Sequence, residues 1–146
     1  MVTTIRHILE VKGQDVWSIG PKATVFDALR MMNEKGIGAL VVMEGDQMVG
    51  ILSERDYARK VVLLGKTSRE TLVNEIMSSK VFTIHPDQTV EEAMELMDSK
   101  HCRHLPVVDN DNDTVVGMIS LGDVVRTIIY KQREEIRKFE NRSPTH

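Results

Sequence analysis

Val16-Trp17-Ser18-Ile19-Gly20-Pro21-Lys22-Ala23-Thr24-Val25-Phe26-Asp27-Ala28-Leu29 returns as Val81-Phe82-Thr83-Ile84-His85-Pro86-Asp87-Gln88-Thr89-Val90-Glu91-Glu92-Ala93-Met94. A second block, Gly50-Ile51-Leu52-Ser53-Glu54-Arg55-Asp56, returns as Gly117-Met118-Ile119-Ser120-Leu121-Gly122-Asp123. The offset is 65 between Val16 and Val81 but 67 between Gly50 and Gly117, so the second copy holds two extra residues between its blocks. Such a repeat predicts two similar units about a pseudo-twofold axis, with two similar clefts where they meet.

Each copy reads as strand, helix, strand, strand, helix, an α/β (α+β) fold of two βαββα repeats. In the first, Val16 to Ile19 is a short strand that Pro21 ends. Thr24 is placed to cap a helix whose apolar face is Ala28, Leu29, Met31 and Met32, and Gly36 ends it. Ala39 to Met43 is a buried strand, Glu44 to Gln47 a turn, and Met48 to Leu52 the return strand. A second helix is expected from Asp56 to Leu64, with Gly65 after it. In the second copy the same reading gives strands Val81 to Ile84, Leu105 to Val108 and Val115 to Ser120, a helix from Val90 to Ser99, and a helix from Asp123 onward. The polar turn Asp109 to Asp113 takes the two extra residues, where insertions are tolerated. The organisation expected is a first repeat with its linker over 1–73 (core 16–65), a second repeat over 74–130, and a helical extension and tail over 131–146, frayed from Asn141.

At 146 residues the chain is long enough for a real core, whereas one repeat alone would be marginal. Aromatics are 4% of residues and the net charge is −3, which argues against a nucleic-acid stacking platform or a basic nucleic-acid surface. The single cysteine, Cys102, excludes an intrachain disulfide and fits a reducing cytoplasm. The first ten residues lack the apolar run of a signal peptide, and no stretch approaches the roughly 20 apolar residues of a membrane span.

The strongest chemical signal is Gly, two apolar residues, Ser, two variable residues, Asp, found twice at a strand-to-helix junction. Ser53 or Ser120 offers a hydroxyl there. The first N–H groups of the following helix favour an anion. Asp56 or Asp123 offers two acceptor oxygens, which suit a vicinal diol such as a ribose. Ser and Asp are also the residues that cap a helix, so one such junction alone reads as a cap. Its double occurrence shifts the reading towards a site. His101-Cys102-Arg103-His104 has metal-ligand residue types, but no second pair completes it and alternate strand residues face apart. No metal site is expected. No nucleophile–base pair is evident, so catalysis is not expected either.

On these motifs, with Arg103-His104-Leu105-Pro106-Val107-Val108, the chain resembles a tandem pair of cystathionine-β-synthase-type (CBS) domains over about residues 12 to 130. The resemblance implies a regulatory module that binds AMP, ATP or NAD. It implies that Asp56 and Asp123 take ribose hydroxyls while Ser53 and Ser120 help hold phosphate. It further implies clefts built from both copies. The Ser120/Asp123 cleft should draw on Lys12, Gly13, Val16, Trp17, Ile37, Gly38 and Ala39. The Ser53/Asp56 cleft should draw on Ser79, Lys80, Phe82, Cys102, Arg103 and His104, with Arg55 nearby. Arg103 matches a phosphate-binding position whose counterpart in the first copy is Gly38, so the clefts should be unequal and the Asp123 cleft the tighter. Arg103 could instead serve the Asp56 cleft. Val41 stands where the family pattern, kept at Pro106, has proline. Trp17 reads either as a base-stacking ring or as core.

The expected partners are an adenosyl small molecule, a second copy of the chain and an unidentified target protein, with no nucleic acid and no membrane. The dimer face is expected at Val61, Val62, Met94, Met97, Ile128 and Ile129. One alternative is an interaction module with vestigial clefts; another is an enzyme that uses the bound cofactor.

Overall fold

The computed structural model describes residues 2–142, so the tail expected from Asn141 lies, after Arg142, outside the described residues. In chain order the elements are α1 (Ile5–Lys12), β1 (Ser18–Ile19), α2 (Val25–Lys35), β2 (Ala39–Glu44), β3 (Gln47–Ser53), α3 (Glu54–Tyr57), a π turn (Ala58–Val62), α4 (Val73–Ile76), α5 (Val90–Lys100), β4 (His104–Val108), β5 (Val115–Ser120) and α6 (Leu121–Arg142). They form two compact units. One is Val16–Phe82; the other joins the N-terminal segment up to Asp15 to the chain from Thr83 onward.

In the first unit the strands lie in the order β1-β2-β3, with β1 parallel and β3 antiparallel to β2. Leu40 and Val42 alternate on one face of β2 and meet Val25, Ala28 and Met32 of α2, Leu52 of β3, Val61, and Val73 and Ile76 of α4 in one buried core. The second unit pairs β4 antiparallel with β5 and buries Val90, Ala93 and Met97 of α5 along with Leu105, Val107, Ile119 and Val124. Both hairpins carry a bulge at the same place, Val42/Met43 and Val107/Val108.

The helix starts and stops follow from local chemistry. Thr24 Oγ1 accepts from the Asp27 N–H and Thr89 Oγ1 from the Glu92 N–H, each at 3.1 Å. Both helices then end on a left-handed residue: Gly36 at φ 65° and its counterpart His101 at φ 55°. The helix stop in the second copy is therefore made by a residue whose Cβ makes this conformation costlier than it is for glycine.

Several boundaries differ from the sequence reading. The strand expected over Val16 to Ile19 is two residues long, and that over Val81 to Ile84 is reduced to a single bridge, Ile84 opposite Val107. Pro106 supplies the reason. Its counterpart Val41 donates its N–H to the Trp17 carbonyl, and a proline has no N–H to give the preceding strand. The junction helices begin at Glu54 and Leu121, not at the aspartates. The first of them passes into the π turn at Ala58 rather than running to Leu64.

The helix α1 was not foreseen, yet it belongs to the repeat. Ile5 N–H donates to the Gln88 carbonyl as Val73 N–H does to Ala23, and Arg6 N–H to Pro86 as Asn74 N–H does to Pro21. Val90 N–H returns to the Thr3 carbonyl as Val25 N–H does to Thr71. Thr3 to Leu9 is thus the structural counterpart of Thr71 to Met77: the first lies at the start of the chain and packs on the second copy, and the other follows the first copy and packs on it.

The glycine that opens each junction block is fixed by this packing. A Cβ on Gly50 would lie 2.6 Å from Met77 Sδ and 3.0 Å from the Ser78 carbonyl oxygen; one on Gly117 would lie 2.6 Å from Leu9 Cδ2. Two residues of the expected dimer face, Val61 and Met97, are instead buried in their own units.

Candidate functional site

Both Ser/Asp junctions are complete helix caps. At the first, the Ser53 N–H donates to Asp56 Oδ2 at 2.9 Å, the Ser53 hydroxyl donates to the same oxygen at 3.1 Å, and the Asp56 N–H donates back to Ser53 Oγ at 3.2 Å. At the second, the Ser120 N–H donates to Asp123 Oδ2 at 2.8 Å and the Asp123 N–H to Ser120 Oγ at 3.1 Å. Ser is the residue before the helix and Asp its third residue, the reciprocal arrangement of a capping box. The backbone contributes too. Glu54 N–H donates to the Gly38 carbonyl and Leu121 N–H to the Arg103 carbonyl. The N–H groups of Ser53, Glu54 and Asp56, and of Ser120, Leu121 and Asp123, are therefore engaged within the fold. The expectation that first-turn N–H groups wait for an anion is corrected at these positions.

The cation supply differs between the junctions. Asp56 has Lys60 at 3.3 Å, four residues on along the same chain segment. Asp123, only 9% exposed, has Arg126 NH2 on Oδ1 at 2.8 Å and Lys12 Nζ on Oδ2 at 2.6 Å. Burial pushes the Asp123 carboxyl up, but hydrogen bonds from Lys12 and the Ser120 backbone outweigh it and hold the group below the ordinary carboxylate range. His104 beside them is pushed down, first by burial and then by the Lys12 charge, so it is neutral at pH 7. Lys12 also donates to the Met118 carbonyl at 2.8 Å.

Of the residues expected at the sites, the structure brings Lys12, His104, Ser120 and Asp123 together, with the Arg103 backbone at the same junction. The Arg103 side chain is exposed and makes no hydrogen bond or ion pair among the described residues. Gly38 holds the matching place beside Ser53 and Asp56. Arg55 is exposed at the start of α3. Gly13 closes α1 at φ 103°. Val16 and Ile37 are half-buried and Ala39 is buried in the first unit; Ser79 and Lys80 are exposed, with the Lys80 ammonium 5.8 Å from the Phe82 ring centre. Trp17 is not core. It is 38% exposed, and Lys35 Nζ lies 4.1 Å from its ring centre. Cys102 is half-buried, and burial pushes its thiol up. Among the described residues no group of three or more His, Cys, Asp or Glu side chains is arranged to hold a metal ion. His101 acts as the left-handed stop of α5. Two partners of the carboxylates were missed, Lys60 and Arg126. Their spacing of four and three residues from Asp56 and Asp123 is the signal that could have found them. A groove of about 460 Å³ on the second unit is lined by residues such as Thr4, His7, Thr127 and Tyr130, and by none of the junction residues.

A family model for the CBS domain matches residues 5–63 and 73–130. The chain is 38% identical over 147 aligned positions to a CBS domain-containing protein of Arabidopsis thaliana, CBSX3, named as mitochondrial, covering 94% of this chain and 70% of that one. A protein with CBS domains from Burkholderia ambifaria, of solved structure, is 44% identical with a TM-score of 0.84, covering 89% of this chain and 96% of that one. The CBS domain pair of protein MJ0100, solved in complex with 5′-methylthioadenosine and S-adenosyl-L-methionine, shares the fold at 24% identity and a TM-score of 0.79, covering 90% and 99%.

Proposed function

From one fact, that this chain belongs to the CBS-domain family with two copies of the domain, we propose that it is a non-catalytic regulatory module. Its ligand is an adenosyl compound of the AMP, ATP or NAD type, held at the Ser/Asp junctions, and occupancy reports energy or redox state. The observation that carries this reading is the Asp123 cluster. A cap needs only the Ser–Asp reciprocal bonds, and Asp56 adds to them a single cation, Lys60. Asp123 has two cations on its carboxylate, Lys12 and Arg126, with the Arg103 backbone at the same junction. An acceptor pair ringed by cations suits a sugar diol joined to a phosphate. The MJ0100 pair is known to hold adenosyl compounds; its distant likeness speaks for the fold, and the ligand class here rests on the junction residues. The other lining residues inferred from the resemblance belong to the same proposal.

The proposed setting is a reducing one, the cytoplasm, and the proposed assembly is a homodimer. No helix among the described residues is long and apolar enough to cross a membrane. The dimer face is best placed on α6, where Val125, Ile129, Ile136 and Phe139 are exposed at helical spacing.

A second reading has an observation of its own. Both junctions satisfy their caps internally, as vestigial sites in a protein-docking module would. Calorimetric titration of AMP, ATP and NAD separates the two. The proposal expects binding that Asp123→Ala and Asp56→Ala each diminish. Absence of binding by all three would leave the docking reading.

A further inference from the structure

Lys12 breaks the repeat. In the first unit, α4 stops at Ile76 and Met77 turns extended at ψ 154°, so the Ile51 carbonyl accepts the backbone N–H of Ser78 at 2.9 Å. Met118 is the counterpart of Ile51. Here α1 runs on to Lys12 instead, and the Met118 carbonyl accepts the Lys12 ammonium at 2.8 Å. The longer helix thus puts a cation where the other repeat has a backbone amide. From that position the same ammonium reaches Asp123 Oδ2 at 2.6 Å. Asp56 has no such partner from α4.

The consequence is chemical competition. Asp123 Oδ2 already accepts from the Ser120 N–H and from Lys12, and Oδ1 accepts from Arg126. A sugar diol that takes these oxygens must displace cations. A ligand without an anion leaves the displaced ammonium without a charged partner. A ligand with a phosphate supplies one. Lysine is suited to the exchange, because its charge sits on a flexible four-carbon stem with three rotatable donors. The Lys12 side chain is 36% exposed, against 9% for Asp123, so the cation is the member of the pair with room to move.

We infer that Lys12 is a displaceable counter-ion that makes the Asp123 site demand a phosphorylated ligand, passing from the carboxylate to the phosphate as the sugar takes its place. This rests on the proposed adenosyl-binding reading and adds to it a specificity-determining residue. Arg103 would only attract phosphate. Lys12 does two opposed things, blocking the bare nucleoside and rewarding the nucleotide.

The test is calorimetry of AMP and adenosine on the full chain with Asp56→Ala in place, so that one junction is read. Lys12→Met is expected to weaken AMP about tenfold, or roughly 1.4 kcal/mol, and to tighten adenosine severalfold. Arg103→Ala should weaken AMP without tightening adenosine. Lys12→Gln must reproduce the divergence if Lys12→Met folds poorly. The unmutated chain gives an independent readout: millimolar inorganic phosphate should strengthen adenosine binding, where chloride at equal ionic strength does not. If the Lys12 variants move both ligands the same way, or phosphate leaves adenosine unaffected, the inference falls while the adenosyl reading stands. If the unmutated chain binds neither AMP nor adenosine, both fall.

Discussion

At Asp56 the carboxylate is held by its own junction: Ser53 before it and Lys60 one turn after it. At Asp123 the same Ser–Asp frame is present, but a cation arrives from a helix more than a hundred residues earlier in the chain, and another from α6. The frame is therefore structural and shared, while the wiring laid over it is specific to one copy. A duplicated motif preserves the part that both folds need. The difference in ion pairing enters through the elements that pack against it, here the extra turn of α1 and Arg126 of α6.

The glycines give the largest expected contrast. Gly50→Ala places a methyl against a backbone carbonyl as well as Met77, whereas Gly117→Ala meets only the Leu9 side chain. Overpacking costs about 1–3 kcal/mol, and more where backbone must shift. Chemical denaturation should put Gly50→Ala at or above the top of that range and Gly117→Ala near its bottom. Equal losses would mean that α1 and α4 press on their sheets alike.

Next are the carboxylates in the ligand-free protein. Asp123→Asn removes charge-assisted bonds to two cations from a nearly buried group and should cost about 1–3 kcal/mol. Asp56→Asn retains most of its cap and should cost less, since its cation is 43% exposed and its pairing is screened. The reverse order in urea melts would break the comparison.

The paired left-handed stops give an opposite-signed pair. His101→Gly should stabilise by about 1 kcal/mol, because a left-handed backbone burdens any residue with a Cβ. Gly36→Ala should destabilise by a similar amount. Thermal melts that shift both variants the same way would show that the two helix ends are not equivalent.

The smallest effect concerns pH. His104 has a folded pKa below its ordinary 6.5, so the unfolded chain takes up a proton first as pH falls. Its contribution to stability is complete above 6.5 and declines as pH drops from there through the lowered folded value. Asp123 acts in a lower window: its contribution is complete above the unfolded carboxylate pKa and is lost as pH falls through its depressed folded value. His104→Gln should flatten the stability profile just below 6.5 and leave the acid limb in place. An unchanged slope in that window would count against a lowered pKa at the half-buried His104.

Much of this was legible in the repeat itself. Thr24, Thr89 and Gly36 act where their chemistry places them, and the two extra residues sit in the Asp109 to Asp113 turn, where Asp113 takes a positive φ. The α1 helix escaped because its offset from Thr71 to Met77 is 68, outside the offsets of the quoted blocks, and its apolar positions Ile5, Ile8 and Leu9 are few. The shortened β-strand before Ile84 was hidden in Pro106, read as a family marker rather than as a missing donor. The wiring of Asp123 was the least legible part. Lys12 was named for a cleft, but no periodicity shows that a helix running on to Lys12 would carry its ammonium onto Asp123.

The central claim is that the two aspartates read a sugar diol and do not only cap helices. Calorimetric titration of AMP against 2′-deoxy-AMP tests it most directly. A site built to bond both hydroxyls loses about 1–3 kcal/mol when one is missing, so the deoxy ligand should bind roughly tenfold more weakly or worse. Equal affinities would contradict the account and return Asp56 and Asp123 to the role of caps.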